Sequence, residues 1–106
     1  ERLETALHIA AAAKRTTFVK ELVDEMTERD LALQNKHGNT ALCFAASSGV
    51  VKIAEVMVKK NKTLPLLRGS EGMTPLYMAA ILGHRDMVSY LYKETPFGEL
   101  SRKEQI

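Results

Sequence analysis

The sequence predicts an all-α solenoid, in which helix-turn-helix units stack side by side and hairpin-like loops join them. The prediction rests on three near-copies of one short phrase. The copies are TALHIAA at residues 5–11, TALCFAA at residues 40–46 and TPLYMAA at residues 74–80. They begin 35 and 34 residues apart, a period typical of stacked supersecondary units rather than of one globular core. Because a solenoid presents a long surface, we expect this chain to hold another macromolecule.

Each phrase predicts the first helix of its unit. The threonine is a good N-cap, because its hydroxyl accepts a backbone N–H that lacks a partner in the first turn. Pro75 stands at the first helical position of the third copy, where its missing N–H costs nothing. The leucine and the paired alanines of each phrase are expected to face the core. Gly49 and Gly83 are predicted to end two of these helices in the left-handed conformation, and Lys14 occupies the equivalent position of the first copy.

A second amphipathic pattern follows each of these helix ends. Apolar residues recur at i, i+1, i+4 and i+5, which predicts one buried face of a helix. The three sets are Phe18, Val19, Leu22 and Val23; Ile53, Ala54, Met57 and Val58; and Met87, Val88, Leu91 and Tyr92. Each unit is therefore predicted to be helix, tight turn, helix, and both helices need neighbouring helices to bury their apolar faces.

Two connectors, residues 27–39 and 61–73, separate the units. Their apolar stretches, residues 31–33 and 64–67, are predicted to be extended arms that lead to tips rich in Gly, Asn and Ser. The units are predicted to span about residues 1–34, 35–68 and 69–95. The tail, residues 96–106, is expected to belong to further packed structure through Phe97, Leu100 and Ile106.

Composition narrows the class of protein. The chain has 106 residues, 45% of them hydrophobic, and a net charge of +2, which suits one folded domain and argues against a nucleic-acid binder with a strongly basic face. A single cysteine cannot form an intrachain disulfide. No apolar run approaches the ~18 residues of a membrane-spanning helix, and the first four residues do not form a signal peptide. We expect a cytoplasmic module, which in a longer protein could lie on the cytosolic side of a membrane.

The phrases resemble the ankyrin repeat, whose pattern is Gly-x-Thr-Pro-Leu-His-x-Ala-Ala, two variable positions and then Gly-His. Residues 72–84 fit this pattern best and depart from it only at Tyr77, where the family usually has His. The second copy has Cys43 at that position and Val50 in place of the last His. The resemblance implies an ankyrin solenoid of three repeats that binds proteins, needs no cofactor and is not an enzyme.

The first copy departs further from the pattern. It keeps His8, for which the family position implies a hydrogen bond that stabilises the repeat, but it has Leu3 and Lys14 where Gly is usual. The resemblance nevertheless extends to about Tyr92. A narrower resemblance is carried by residues 38–61, 64–68 and 87–91. They resemble the repeats of plant ankyrin proteins that carry a C-terminal membrane region, the PGG domain, and act in defence and stress signalling. By that likeness the chain is expected to be the cytosolic ankyrin portion of a larger plant membrane protein.

The same resemblance predicts where a partner protein binds, namely at the loop tips and on the exposed side of the first helices. The predicted partner-binding residues are Arg2, Glu4, Ala12 and Ala13 in the first copy; Lys36, His37, Asn39, Ser47 and Ser48 in the second; and Ser70, Glu71, Met73, Ile81 and Leu82 in the third. Met73, Ile81 and Leu82 are the predicted hydrophobic anchor. The alternative is that a further repeat or the tail covers these three residues. Self-association through an exposed repeat end is also expected.

Other candidate sites have simpler explanations. Cys43 lacks a nearby activating base in the sequence, so a structural role is expected rather than a catalytic one. The three histidines occupy different repeat positions, which predicts no metal site. Lys59, Lys60 and Lys62 follow a helix C-terminus, where cations complement the helix dipole. Binding of nucleic acid or of a membrane surface through these lysines remains the alternative function.

Overall fold

Helix pairs stack in two layers in this protein. The computed structural model describes residues 2–95, with side chains from Ala6 onward, and the tail with Phe97, Leu100 and Ile106 lies outside the described residues. Within that range the chain forms α-helices and 3-10 turns and no β-strand. The helices are α1 (Arg2–Ala12), α2 (Thr16–Asp24), α3 (Glu28–Leu31), α4 (Ala41–Ser48), α5 (Val51–Lys60), α6 (Pro75–Ile81) and α7 (Arg85–Glu94).

The stack has an inner and an outer layer. Helices α1, α4 and α6 lie side by side in the inner layer, and α2, α5 and α7 lie side by side in the outer layer. The pairs α1–α2, α4–α5 and α6–α7 form the first, second and third repeats. Small side chains allow the helices to approach closely, since Ala11, Ala45, Ala46 and Ala54 are all fully buried between them. The predicted all-α solenoid is therefore confirmed.

The first helix of every repeat ends in the left-handed conformation that the sequence predicts. The φ angle is 62° at Lys14, 78° at Gly49 and 77° at Gly83. At Lys14 and Gly83 the helix end closes as in a Schellman motif: the N–H of Lys14 or Gly83 donates to the carbonyl three residues back, and the N–H of the following residue donates to the carbonyl five residues back. Lys14 thus adopts a conformation that costs a residue with a Cβ about 1–2 kcal/mol.

One of the three predicted threonine N-caps is confirmed. Thr74 accepts a hydrogen bond from the N–H of Tyr77 at 3.2 Å. Thr40 precedes α4, but its buried hydroxyl lies 3.6 Å from the sulfur of Cys43 instead of capping the helix. The prediction for Thr5 is wrong, because α1 begins at Arg2 and encloses Thr5. Residues 2–4 are good helix formers and no glycine stands at Leu3, so the helix extends past the threonine.

The connectors differ from the predicted extended arms. The apolar stretch of the first connector lies at the end of α3, which Thr27 and Asp30 stabilise as a capping box with hydrogen bonds of 3.1 and 3.0 Å. In the second connector, Leu64–Leu66 forms a 3-10 turn with Pro65 as its second residue. Only the tips are hairpin-like, since Asn35 N–H donates to Asn39 O and Gly69 N–H donates to Met73 O.

The second helices bury their predicted faces to different extents. All four predicted residues of α5 are buried, whereas α2 leaves Phe18 exposed and α7 leaves Tyr92 exposed. The third repeat also departs from the predicted core of α6, because Leu76 is half-buried and Ala80 is exposed, while Met78 is buried. The cause is position: within residues 2–95 the second repeat packs between the other two, whereas the first and the third each pack against one described repeat.

Candidate protein interface

A groove of about 230 Å³ lies between the inner helices of the second and third repeats. We call it the α4–α6 groove. Its lining comes from both helices and from both loop tips, and comprises Asn39, Cys43, Phe44, Ser47, Ser70, Met73, Met78, Ile81 and Leu82. The structure therefore brings together six predicted partner-binding residues, which are Asn39, Ser47, Ser70, Met73, Ile81 and Leu82.

The apolar side of the groove is formed by the end of α6. Ile81 is 58% exposed and Leu82 is 54% exposed, and both stand next to the half-buried Met73 of the loop tip. Leu82 N–H donates to Met78 O at 3.2 Å, so these side chains project from helical backbone rather than from a loose loop. Two large apolar side chains held outward in this way are the strongest signal of a contact surface in the groove.

The polar side of the groove is fixed by Asn39. Its side-chain oxygen accepts a hydrogen bond from Ser70 N–H at 2.8 Å, and its carbonyl oxygen accepts one from His8 Nε2 at 2.9 Å. Its own N–H donates to Asn35 Oδ1 at 3.0 Å. Asn39 therefore ties all three repeats together and aligns the two tips beside the groove.

Gly69 allows the two tips to approach each other. A methyl group at Gly69 would overlap Asn39 Oδ1 and would lie 2.8 Å from both Cys43 Sγ and Met78 Cε. Real Cβ atoms essentially never approach other atoms that closely. The glycine is thus needed because the connector packs closely on the polar wall of the groove. Its φ angle of −101° is one that other residues also adopt, so the need is for space and not for a special backbone conformation.

The inner layer beside the groove carries no charged side chain. Helices α4 and α6 contain no Asp, Glu, Lys or Arg, although the chain as a whole has 28 such residues, 15 basic and 13 acidic. Among the described residues around the groove, charged side chains stand at the tips, where Lys36 and Glu71 are exposed. A partner segment in the groove therefore meets apolar and neutral polar groups, and meets charge only at the rim.

The two tips are turns held by hydrogen bonds. His37 N–H donates to Asn35 Oδ1 at 2.9 Å, and Gln34 Nε2 donates to the carbonyls of Gly38 and Arg68 at 2.9 and 3.3 Å. Glu71 has a φ angle of 57°, a second non-glycine residue in the left-handed region. The exposed Lys36, His37 and Glu71 are therefore presented from backbone that is already fixed.

The remaining predicted residues lie elsewhere. Ser48 lies on the buried side of α4 and not on the exposed side where the repeat pattern predicts it. Its hydroxyl donates to Ala45 O at 2.7 Å and accepts from Val50 N–H at 3.2 Å. Ala12 and Ala13 are exposed on the first repeat, away from the groove. Arg2 and Glu4 lie in the first turn of α1 rather than at a loop tip, and their side chains lie outside the described part of the chain.

Sequence reasoning missed three residues of the groove. Phe44, Cys43 and Met78 line it from α4 and α6, but they sit at variable positions or at the usual His position of the repeat. Phe44 also packs edge-on against His8, with ring centroids 5.3 Å apart. The repeat period could have paired Met78 with Phe44, because the two residues are 34 positions apart and hold the same place in their repeats.

The other candidate chemistries are weakened by the geometry. Cys43 is buried, and burial raises the pKa of its thiol, which disfavours the reactive thiolate. His8 Nε2 donates to Asn39 O and His84 Nε2 donates to Ser47 O, each at 2.9 Å, so both histidines link repeats. In residues 2–95 no group of His, Cys, Asp and Glu is placed to hold a metal ion.

The basic cluster is smaller than the sequence suggests. Lys60 is half-buried and its Nζ donates to Val23 O at 2.7 Å, at the C-terminal end of α2, where a cation complements the helix dipole. Only Lys59 and Lys62 of the three are exposed. Among the described residues, no helix is long and apolar enough to cross a membrane.

Parts of several known proteins are similar in sequence to this chain. Bovine Protein fem-1 homolog A is 40% identical over 62 residues, 58% of this chain and 9% of that protein. An interferon antagonist of monkeypox virus is 34% identical, over 88% of this chain and 32% of that protein. Protein ACCELERATED CELL DEATH 6 of Arabidopsis thaliana is 28% identical, over 87% of this chain and 16% of that protein. The chain thus spans a third or less of these relatives.

A solved structure shows the same fold. One chain in the crystal structure of the yeast ribosomal protein Rps3 in complex with its chaperone Yar1 superposes with a TM-score of 0.75 at 25% identity, covering 84% of this chain and 65% of that one. The family model for ankyrin repeats, in three copies, matches residues 7–100. The chain belongs to the ankyrin-repeat family.

Proposed function

We propose that this chain is a protein-interaction module that holds an apolar, uncharged segment of a partner protein in the α4–α6 groove. The observation that carries the proposal is the pair of exposed side chains, Ile81 and Leu82, on helices without charged residues. The ankyrin fold and the similarity to a chain from a ribosomal protein–chaperone complex support a protein as the partner.

The energetics favour the apolar wall as the anchor. Complete burial of an exposed Ile or Leu contributes about 1.5–3 kcal/mol. Since Ile81 and Leu82 are each a little over half exposed, a partner that covers both gains about 2–3 kcal/mol from them. At the opposite wall, the neutral hydroxyls of Ser47 and Ser70 can hydrogen-bond the partner segment and so orient it. At the tips, Lys36 and Glu71 favour partners that carry the complementary charges beside the apolar segment.

The finer proposal concerns the whole protein. We propose that the module belongs to a larger plant membrane protein of defence or stress signalling and lies on the cytosolic side of the membrane. The likeness to ACCELERATED CELL DEATH 6 supports it, although animal and viral proteins are also among the relatives. The test is to fractionate cells that express the full-length protein with a protease-accessible tag next to this module. Recovery in the soluble fraction would contradict the proposal.

A peptide selection tests the chemistry of the partner. Displayed peptides are selected on the folded chain and then depleted on an Ile81→Lys/Leu82→Glu variant. The proposal expects enriched peptides with two or more large apolar residues and no charge between them. It also expects affinities that change little with ionic strength, because no ion pair forms in the groove. Binding of duplex DNA or of anionic vesicles that is lost in a Lys59→Ala/Lys62→Ala variant would instead favour the alternative, a nucleic-acid- or membrane-surface-binding module.

A matched pair of variants separates binding from folding. The free energy of unfolding of Ile81→Lys/Leu82→Glu should lie within about 0.5 kcal/mol of the wild-type value, since both residues are exposed. The variant should bind a selected peptide about 30-fold to 150-fold more weakly, which corresponds to the expected 2–3 kcal/mol. Phe18→Lys/Leu33→Glu places the same charges at exposed apolar positions outside the groove and should bind normally. Equal loss in both variants would refute the groove.

A further inference from the structure

The polar wall of the α4–α6 groove carries hydrogen-bond donors that the protein itself does not use. Asn39, Ser47 and Ser70 line the groove together with its apolar residues. Within residues 6–95, the side-chain N–H groups of Asn39 and the hydroxyls of both serines form no hydrogen bond. The hydroxyl of the neighbouring Ser48, by contrast, donates to Ala45 O. The groove therefore offers unpaired polar groups beside exposed apolar side chains.

The orientation of the Asn39 amide is fixed. Its Oδ1 accepts a hydrogen bond from Ser70 N–H at 2.8 Å. Because a backbone N–H donates only to the oxygen of an amide, this bond also establishes which end of the side chain is Nδ2. In the described part of the chain no buried side-chain nitrogen or oxygen lacks a partner, so the unpaired Nδ2 of this half-buried residue reaches solvent. Asn39 thus presents two N–H donors that no internal bond occupies.

The acceptor that suits these donors is neutral. Neither α4 nor α6 contains a charged side chain, so a carboxylate in the groove would lose its hydration with no cation on either helix to compensate. A backbone carbonyl is a neutral acceptor, and every residue of a partner segment supplies one. The group that matches Asn39 Nδ2 is therefore a carbonyl oxygen that its own chain leaves free.

An extended segment leaves its carbonyls free, whereas a helix does not. In a helix, every carbonyl except the last four accepts an N–H from the next turn. One turn of a helix about 10 Å wide also fills about 400 Å³, which exceeds the groove volume of about 230 Å³. The groove follows α4, whose 8 residues span about 12 Å. About four residues of extended chain cover that length.

We propose that Asn39 is the specificity-determining residue of the α4–α6 groove and that its Nδ2 donates to a backbone carbonyl of an extended, uncharged partner segment. The inference rests on the proposed function, because it names the form of the segment that the groove holds. Every second side chain of an extended segment faces the same side. The expected motif is therefore two large apolar residues separated by one uncharged residue, within a segment of about four to six residues.

Asn39→Asp removes the two donors but keeps an oxygen for Ser70 N–H, and its second oxygen repels a carbonyl. Asn35→Asp is the matched control, because it adds the same charge at the same tip, keeps the oxygen that accepts from His37 and Asn39 N–H, and lies outside the groove lining. The probe is the tightest-binding uncharged peptide selected on the folded chain. Calorimetry should show about tenfold weaker binding to Asn39→Asp and a change of at most about twofold for Asn35→Asp.

Ester replacements in the probe test the same contact from the partner side. An ester carbonyl is a weaker acceptor than an amide carbonyl. At the carbonyl that meets Asn39, an ester should weaken binding to the wild-type chain about fivefold and change binding to Asn39→Asp by less than about twofold. The Cα chemical shifts of the bound, isotope-labelled peptide should be those of an extended chain.

The outcomes separate this inference from the proposed function. Wild-type affinity in Asn39→Asp, equal losses in Asn39→Asp and Asn35→Asp, or helical shifts in the bound peptide would overturn the inference, and the function would stand if Ile81→Lys/Leu82→Glu still lost binding. A selection without uncharged binders would overturn both. NMR contacts between the Leu82 methyl groups and residues 96–106 in the free chain would show that the tail fills the groove, and would overturn the inference as well.

Discussion

The second and third repeats carry similar sequences, yet they bury them differently. Leu42 is fully buried and Leu76 is half-buried; Ala46 is fully buried and Ala80 is exposed. Ser48 is buried, whereas Leu82 at the equivalent position is exposed. The more polar residue is thus inside and the more apolar one outside. The comparison teaches that neighbours in the stack, rather than the repeat motif alone, decide whether a side chain belongs to the core or to a contact surface.

The largest expected effect separates the two equivalent leucines. Leu42→Ala should lower the free energy of unfolding by about 2–5 kcal/mol, because it empties a site that neighbours enclose on both sides. Leu76→Ala should cost about 1 kcal/mol, since its side chain already contacts solvent. Urea unfolding followed by circular dichroism measures both. Equal losses would mean that the third repeat is as enclosed as the second.

The junction between these repeats depends on Gly69. Gly69→Ala should destabilise the chain by about 1–3 kcal/mol, because the added methyl group overlaps Asn39 Oδ1 and crowds Cys43 and Met78. Exchange of the Ser70 amide, which donates to that oxygen, should accelerate. Gly72→Ala is the control for backbone strain: its Cβ meets no atom within 4 Å, but its φ is 73°. If amide exchange at Ser70 were faster only in the Gly72 variant, the explanation by contact with Asn39 would be wrong.

The first repeat allows the opposite experiment. Lys14→Gly should raise the free energy of unfolding by about 1 kcal/mol, since glycine adopts the left-handed conformation without a Cβ penalty. Lys14→Ala removes the charge but keeps the penalty, and it should leave stability nearly unchanged. A gain with alanine as large as the gain with glycine would assign the effect to charge rather than to backbone conformation.

The smallest effect appears at alkaline pH. Burial, with help from Glu94 and Glu55, raises the pKa of Tyr90 from 10.0 to about 12. The neutral phenol is favoured in the folded state, so its contribution to stability is complete below pH 10 and is lost as the pH rises towards 12. Urea midpoints should fall over this window in the wild type and fall less in Tyr90→Phe. The same fall in both proteins would exclude Tyr90 as the cause.

The sequence was sufficient to predict the elements that depend on local chemistry. The period, the paired alanines and the glycines at helix ends predicted three helix pairs, and even the strained position of Lys14. His8 was correctly predicted to stabilise the repeats by a hydrogen bond, which it donates to Asn39 O. These features need only the repeat pattern and backbone preferences.

Features that depend on packing were predicted less well. Nothing local distinguishes Ser47, which is exposed, from Ser48, whose hydroxyl bonds Ala45 and Val50. The start of α1 was missed because its residues simply continue the helix past Thr5. Lys60 was counted in a basic cluster, although the fold places it on the carbonyl of Val23. The partner of Lys60 lies 37 residues away in the preceding repeat, where a local pattern does not show it.

Native-state hydrogen exchange tests the central claim most directly, which is that stability and burial follow position in the stack. Amides of α4 and α5 should open with the highest free energy, and those of α6 and α7 should open through partial unfolding that leaves the second repeat intact. Denaturant should therefore speed exchange in α4 and α5 more steeply than in α6 and α7. Identical opening free energies and identical denaturant dependence in all these helices would contradict the account.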